Sequence, residues 1–191
     1  MILLASRSPQ RRALLGALGV EFRVVVSQVE EGTNPLDNAR AKAHDAAARA
    51  GVPPGGAVLG ADTEVLLDGA VLGKPADAGE ALAMLRNLSG RVHVVRTAVC
   101  LVTQNGELDV VDDARVTFRR LSEDAMDWYV GTGEWRDRAG GYAIQGSGAT
   151  LVESIEGDHS TIVGLPVGAL AQAFERTGLA PWATHRAGET R

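Results

Sequence analysis

The chain has 191 residues, of which 45% are hydrophobic and 23% charged, with a formal net charge of -5 and a pI near 5.4. This length suits one domain, or two small lobes that share a core. The negative charge argues against a broad electrostatic grip on nucleic acid or an anionic membrane, and no apolar run approaches the roughly 20 residues that span a bilayer. Because the sequence lacks the regions of a signal peptide and Cys100 has no partner cysteine, we expect a cytoplasmic protein.

The first half of the chain alternates short strands with helices. In order, the patterns predict a strand over residues 2–5, a helix from Pro9 to Gly19, a strand over 20–26, a helix from Pro35 to about Ala50, and a strand over 58–67. Ser8 followed by Pro9 is an N-cap and a first-turn proline. Asp68-Gly69 predicts a tight hairpin after the long strand.

The second half adds long strands and three more helices. In order, the patterns predict a helix opened by Asp77 and Glu80, two long strands joined at Asn105-Gly106, a helix capped by Ser122, a glycine-rich loop over 134–148, strands over 150–155 and 160–163, and a helix from Pro166 to about Thr177. Helices interleaved with hairpins predict a mixed sheet in an α/β domain.

The turn that joins the first strand to the first helix is a candidate phosphate site. Ser6, Ser8 and Arg11 place two hydroxyls and a guanidinium where the helix dipole and the first backbone N–H groups favour an anion. The spacing is not that of a P-loop. An ordinary capped helix with a solvated basic face has the same pattern.

Two acidic positions could serve a metal ion or an activated water. Asp62 lies in an apolar strand at a point where buried side chains should continue, so its carboxylate needs a partner, and Glu30-Glu31 follow the second strand. Glu31 together with Asp62 would offer Mg²⁺ or Mn²⁺ the oxygen ligands that these ions prefer. Alternatively, strand-end N–H groups hold Asp62, and the glutamates form a solvated turn.

Lys42 and Lys74 are the only lysines among 19 basic residues, which indicates either positions where a compact ammonium is needed or chance. Lys74, between Gly73 and Pro75, could reach a phosphate, or it could be an exposed turn residue.

The amide of Gln145, in a glycine-rich loop, could read the edge of a base, or it could be incidental. His93 alternates within a predicted strand, and we expect it to be a structural hydrogen-bonding residue.

Together these segments resemble the Maf family of nucleotide pyrophosphatases from Leu3 to about Leu170. The matching motifs are Leu-Ala-Ser-x-Ser-Pro-x-Arg at 4–11, Gly-Ala-Asp-Thr at 60–63, Gly-Lys-Pro at 73–75, Leu-Ser-Gly-x-x-His at 88–93, Ala-Gly-x-Tyr-x-Ile-Gln-Gly at 139–146 and Val-Gly-Leu-Pro at 163–166. Each motif is modest alone, but six in this order are specific to the family.

The resemblance implies a fold and a set of roles. The fold is an elongated mixed sheet in two lobes with a central cleft, similar to inosine triphosphate pyrophosphatases and often dimeric. It implies one domain over residues 1–180 and a flexible tail over 181–191. Asp62 matches the catalytic base and, with Glu31, the metal position. The implied phosphate-binding residues are Ser6, Ser8, Arg11, Lys42 and Lys74, and those implied in base choice are Gln10, Thr63 and Gln145.

The implied reaction releases a nucleoside monophosphate and pyrophosphate from a nucleoside triphosphate, with Mg²⁺ or Mn²⁺ as cofactor. Ile144-Gln145-Gly146 looks like the branch that acts on dTTP and UTP. Two features depart from that branch: Gln10 replaces an arginine, and the stretch between Glu31 and Lys42 is short, so either Glu30 or Glu31 could face the metal. The alternatives are a nucleotide-binding regulator of septum formation and cell division with little turnover, and a phosphatase that removes the terminal phosphate.

Overall fold

A computed structural model describes residues 1–182, so the predicted tail over 181–191 lies almost entirely outside the described residues. Its strands are β1 (Ile2–Leu4), β2 (Phe22–Val24), β3 (Ala57–Leu67), β4 (Ala70–Leu72), β5 (Val92–Thr103), β6 (Gly106–Phe118) and β7 (Val152–Glu156). Its α-helices are α1 (Pro9–Ala17), α2 (Pro35–Ala50), α3 (Ala78–Leu88), α4 (Glu123–Thr132), α5 (His159–Val163) and α6 (Val167–Thr177). Two short 3₁₀ segments, Ala139–Gly141 and Gly146–Leu151, lie within the glycine-rich loop.

The strands form one seven-stranded sheet in the order β2-β1-β3-β5-β6-β7, with β4 paired to β3. β1 runs parallel to β2 and β3, whereas β3 with β4 and β6 with β7 are antiparallel. Asp68 and Gly69 turn the chain between β3 and β4 with φ of 51° and 81°, the positive values that a tight hairpin turn needs. The predicted α/β fold with a mixed sheet is therefore confirmed.

The chain divides into two compact units. Unit 1 contains Met1–Asp62, Thr97–Asp112 and the described part of Gly164–Arg191, and unit 2 contains Thr63–Arg96 and Asp113–Val163. The boundary after Asp62 falls inside β3, directly beside the predicted catalytic position.

Unit 1 has an apolar cluster on each face of its strands. Ile2 and Leu4 pack with Leu59 and helices α1 and α6, whereas Leu3 and Val58 pack with the alanines of α2. Strands covered on both faces carry continuous apolar runs, which is why residues 2–5 and 57–61 are so apolar. Cys100 belongs to the second cluster, and burial raises the pKa of its thiol to about 12, so it is an inert core residue.

Unit 2 has its own core. One face of α3, including Leu85 and Leu88, packs against Val116 and Phe118 of β6 and against Tyr129 of α4. Asp77 caps α3 by accepting a hydrogen bond from the Glu80 N–H at 2.9 Å, while the Glu80 carboxylate accepts from the Ala76 N–H at 2.7 Å. The predicted helix start is therefore confirmed, with the reciprocal bond made one residue earlier than a capping box requires.

One predicted element is wrong. Residues 160–163 were expected to form a strand because three of the four favour β structure, but they lie in helix α5. Asp158 explains the difference: its side chain accepts from the Ser160 N–H at 2.8 Å, and its carbonyl accepts from the Thr161 N–H. A capped first turn outweighs weak strand propensity in so short a segment. None of the helices among residues 1–182 is long and apolar enough to cross a membrane.

Candidate active site

The turn between β1 and α1 gathers two serines and an arginine within unit 1. Ser8 caps α1, and its Oγ accepts a hydrogen bond from the Arg11 backbone N–H at 3.3 Å. The buried Ser6 accepts from the Ser8 N–H at 3.2 Å and from Arg11 Nη1 at 3.3 Å. Both Ser6 contacts use its oxygen as an acceptor, which leaves its hydroxyl proton able to donate to an anion at this helix start.

Arg11 is anchored at its other end as well. Its Nε donates a hydrogen bond to the Gly164 carbonyl at 2.8 Å, so the Val-Gly-Leu-Pro segment holds the guanidinium over the turn. Burial lowers the pKa of Arg11, and the negative charges of Asp62 and Glu31 raise it in opposition. Because those charges act on Arg11, the serine turn and the two predicted carboxylates belong to one electrostatic site.

Helix α2 lies unusually close to β3, and Gly60 is the reason. A Cβ at Gly60 would lie 2.0 Å from the Ala39 carbonyl oxygen and 2.7 Å from the Ala43 nitrogen. Only glycine on the strand and alanine on the helix allow this approach. Asn38 and Lys42, four residues apart on the same helix face, are thereby brought within reach of Asp62.

Asp62 is held by both of its carboxylate oxygens. Lys42 Nζ lies 2.7 Å from Asp62 Oδ1, and Asn38 Nδ2 donates to Asp62 Oδ2 at 2.8 Å. Lys42 Nζ also lies 2.7 Å from Glu31 Oε1 and 3.5 Å from the Ala61 carbonyl. The lysine therefore directs its three N–H donors at two carboxylates and one carbonyl.

The exposed fractions of these side chains decide where a ligand can approach. The Lys42 side chain is 10% exposed and that of Asp62 is 16% exposed, whereas that of Glu31 is 46% exposed. Two carboxylates against one ammonium leave one net negative charge, with its open side at Glu31. Of the two adjacent glutamates, Glu31 is the one that contacts Lys42.

The site offers a divalent cation two protein carboxylates, those of Asp62 and Glu31. Asp62 and Glu31 offer hard oxygen ligands close to each other, and one negative charge is left after pairing with Lys42. Among residues 1–182, no group of three or more His, Cys, Asp or Glu side chains could hold a metal ion. Two protein carboxylates are nonetheless sufficient for Mg²⁺, which takes its other ligands from water and substrate phosphates.

Gln10 is turned toward the serine turn. Ser8 Oγ donates a hydrogen bond to Gln10 Oε1 at 3.1 Å, in the first turn of α1. The residue that departs from the dTTP/UTP branch pattern is thus bonded to a predicted phosphate-binding residue. A substitution at position 10 would remove the acceptor of the Ser8 hydroxyl and would also change any contact with a base.

The other predicted site residues belong to unit 2. Thr63 follows Asp62 in β3, and Lys74 is exposed just after β4. The exposed Gln145 precedes the second 3₁₀ segment. Within unit 2, the Gly140 N–H donates to the Gly73 carbonyl at 2.9 Å, which brings the segment of Lys74 next to the loop of Gln145. The ten predicted residues are therefore shared between the units, seven in unit 1 and three in unit 2.

Three side chains hold the loop that carries Gln145. Tyr129 Oη accepts from the Ala143 N–H at 3.0 Å, and the Glu134 carboxylate accepts from the Ser147 and Gly148 N–H groups at 3.1 and 3.3 Å. His93 Nε2 lies 2.8 Å from Tyr142 Oη, which confirms the structural role expected for this histidine. These contacts fix the backbone on both sides of Gln145.

Three further groups in the site were not predicted from the sequence: Asn38, Glu134 and the Gly164 carbonyl. Asn38 carried the clearest signal, since a polar residue of low helix propensity stands one turn before Lys42 in an alanine-rich helix. Glu134 could be found only from the fold, because it acts on backbone groups 13 and 14 residues further along the chain. The Gly164 group is a backbone carbonyl, and because every residue has one, the sequence does not indicate which carbonyl binds Arg11.

Comparison with known proteins agrees with the motifs. A family model described as Maf-like protein matches residues 1–177. The chain is 47% identical to a dTTP/UTP pyrophosphatase of Myxococcus xanthus over 95% of each sequence. It is 49% identical to a dTTP/UTP pyrophosphatase of Thermus thermophilus over 94% of this chain and 96% of the relative. A solved HAM1 protein from Coxiella burnetii matches 63% of this chain and 73% of its own length, with a TM-score of 0.48 and 21% identity.

Proposed function

The chain belongs to the Maf-like protein family, and from this premise we propose that it hydrolyses nucleoside triphosphates to nucleoside monophosphates and pyrophosphate. The observation that carries the proposal is the cluster of Asp62, Lys42 and Glu31 within the electrostatic reach of Arg11 and its serine turn. A carboxylate held by both oxygens beside an anion-binding turn suits the activation of water next to a phosphate. The names of the relatives from Myxococcus xanthus and Thermus thermophilus support this activity.

Asp62 is the proposed general base. It accepts a proton from the water that attacks the α-phosphorus, while pyrophosphate leaves with the electrons of the broken P–O bond. Ser6, Ser8 and Arg11 bind phosphate oxygens at the start of α1, where the helix dipole favours negative charge. Lys74 keeps the phosphate-binding role that the resemblance implies, whereas Lys42 can bind a phosphate only by giving up one of its contacts with Glu31, Asp62 or the Ala61 carbonyl. In this arrangement Lys42 also holds the two carboxylates.

A divalent cation, Mg²⁺ or Mn²⁺, is the proposed cofactor, with Asp62 and Glu31 as its protein ligands. When bound, such an ion neutralises charge that develops on the leaving pyrophosphate. The chain's own contribution is to keep the two carboxylates together around Lys42 despite their mutual repulsion.

The proposed substrates are dTTP and UTP, on the basis of Gln145 and of the names of the relatives. Gln145 and Thr63 keep the base-selecting roles implied by the resemblance, and Gln10 is the position most able to change them. We expect Gln10→Arg to raise the ratio of kcat/KM for dTTP over that for dCTP, as measured by competition between the two nucleotides. The homodimer implied by the resemblance stays a prediction, which sedimentation velocity would test.

The test is a panel of nucleoside triphosphates with Mg²⁺ or Mn²⁺, in which monophosphate, pyrophosphate and orthophosphate are measured separately. We expect pyrophosphate from the wild type and a kcat lower by roughly 10²–10⁴ in Asp62→Ala, because the general base is lost. Near-normal turnover by Asp62→Ala would remove that residue from the role of base. Nucleotide binding without turnover would instead support a regulator of septum formation.

A further inference from the structure

Asn38, which lies in none of the six family motifs, contacts both Asp62 and the loop that follows Glu31. This buried residue of α2 donates from Nδ2 to Asp62 Oδ2 at 2.8 Å and to the Gly32 carbonyl at 3.0 Å. Its Oδ1 accepts from the Gly32 N–H at 2.6 Å. Both N–H donors and the carbonyl oxygen of the amide are therefore used.

The chemistry of the amide explains why asparagine stands here. An amide can accept from one backbone N–H and donate to a carboxylate at the same time, whereas leucine does neither and aspartate can only accept. Gly32 directly follows Glu31, so the same side chain that contacts Asp62 also fixes the loop of the second carboxylate.

The consequence is a fixed orientation for Asp62. Asn38 holds Oδ2 and Lys42 holds Oδ1, and the two residues are four apart on a helix that Gly60 keeps close to β3. A carboxylate held at both oxygens cannot rotate about its Cβ–Cγ bond without breaking one of these contacts. We propose that Asn38 is a positioning residue for the reaction: it sets the plane of the Asp62 carboxylate and ties the Glu31 loop to it. This inference rests on the proposed function.

The test compares Asn38→Ala and Asn38→Asp with the wild type in steady-state kinetics and in amide hydrogen exchange. Asn38→Ala should lower kcat by roughly tenfold to a hundredfold with KM within about twofold, the loss expected when a catalytic group is misplaced. Exchange of the Gly32 N–H should become faster. Asn38→Asp should lower kcat at least as much yet keep the Gly32 N–H protected, because its carboxylate still accepts that bond while repelling Asp62.

Asp45→Ala is the matched control. Asp45 lies on the same helix and accepts from the Gln28 N–H at 3.1 Å, so it fastens the same connecting segment to α2 at a different point. This variant should speed exchange at Gln28 and leave kcat within about twofold of the wild type. If Asp45→Ala loses as much kcat as Asn38→Ala, or if Asn38→Ala keeps its kcat, the inference is overturned. A wild type that releases no pyrophosphate would instead overturn the proposed function.

Discussion

Lys42 contacts both Asp62 and Glu31 directly. Its ammonium lies 2.7 Å from an oxygen of each carboxylate, and its side chain is almost completely buried. Removing it leaves two like charges close together without their shared partner. The residue therefore affects stability as well as catalysis.

We predict that Lys42→Ala lowers the free energy of unfolding by about 3 kcal/mol, because breaking a buried ion pair strands its partner. Urea denaturation followed by circular dichroism measures this value. Arg40→Ala is the control on the same helix: Arg40 pairs with Asp109 on a more exposed face, and its loss should destabilise the protein much less than the loss of Lys42. Equal losses in the two variants would show that Lys42 has no special role in holding the carboxylates.

At the scale of single residues, the sequence predicted the acid and the lysine but not their partner. Asp62 and Lys42 stand out because a carboxylate inside an apolar strand and a rare lysine both demand an explanation. The role of Asn38 depends on a hydrogen bond to Asp62, a residue 24 positions further along the chain. Which of Glu30 and Glu31 contacts Lys42 depends on where the loop places each side chain. Such choices are made by tertiary packing, which local patterns do not encode.

Gly60 sets the distance between two elements, helix α2 and strand β3. We predict that Gly60→Ala destabilises unit 1 by roughly 1–3 kcal/mol, because the new methyl group would overlap the Ala39 carbonyl and force the helix away. Turnover should fall with it, since Asn38 and Lys42 move with the helix. Thermal unfolding and kcat, measured on the same preparation, test both effects.

Gly131→Ala is the control for that substitution. A Cβ at Gly131 meets nothing within 4 Å, and the residue lies in helix α4, where alanine is preferred to glycine. It should leave kcat unchanged and raise stability by about 0.5–1 kcal/mol. Wild-type stability and kcat in Gly60→Ala would contradict the close approach of α2 to β3.

His93 links strand β5 to the loop of Gln145 and should make the fold sensitive to acid. Burial lowers the pKa of His93 to about 4, below the 6.5 expected in the unfolded chain. Between these values the unfolded chain binds a proton that the native protein does not, so stability falls as the pH drops from 6.5 toward 4. This single group contributes up to about 1.4 kcal/mol per pH unit in that window.

The measurement is urea unfolding of the wild type and His93→Gln at pH 7 and pH 4.5. An uncharged amide can still pair with Tyr142 but does not titrate, so the variant should lose about 2–3 kcal/mol less between the two pH values. The carboxylates, which titrate in both proteins, cancel in this difference. An equal loss in both proteins would mean that His93 is not held neutral.

At the scale of elements, the sequence predicted the strands and helices that carry strong signals. The second helix, with proline at its start and glycine after its end, was placed within its observed bounds, Pro35–Ala50. Helix α5 was missed because a single capping aspartate outweighs the propensities of the few residues after it. The contacts that hold the loop of Gln145 were not predicted, because Tyr129 and Glu134 bind backbone N–H groups of a loop that is distant in sequence.

For the whole molecule, net charge and residue distribution bear on the partners. From a net charge of -5 we expect no broad electrostatic contact with nucleic acid, while the local cluster of Ser6, Ser8 and Arg11 can still attract a small anion. The mixed sheet was predictable from the alternation of helices and hairpins. The division of the predicted residues between two units follows from the boundary inside β3, which no composition change marks.

Hydrolysis in ¹⁸O-labelled water shows whether water attacks the α-phosphorus of a nucleoside triphosphate, as we propose. Mass spectrometry of the products after turnover of dTTP locates the label. We predict labelled dTMP with unlabelled pyrophosphate, formed at a rate that falls in Asp62→Ala. Label in pyrophosphate would place the attack at the β-phosphorus, and dTDP with labelled orthophosphate would show removal of the terminal phosphate; either result would contradict the account.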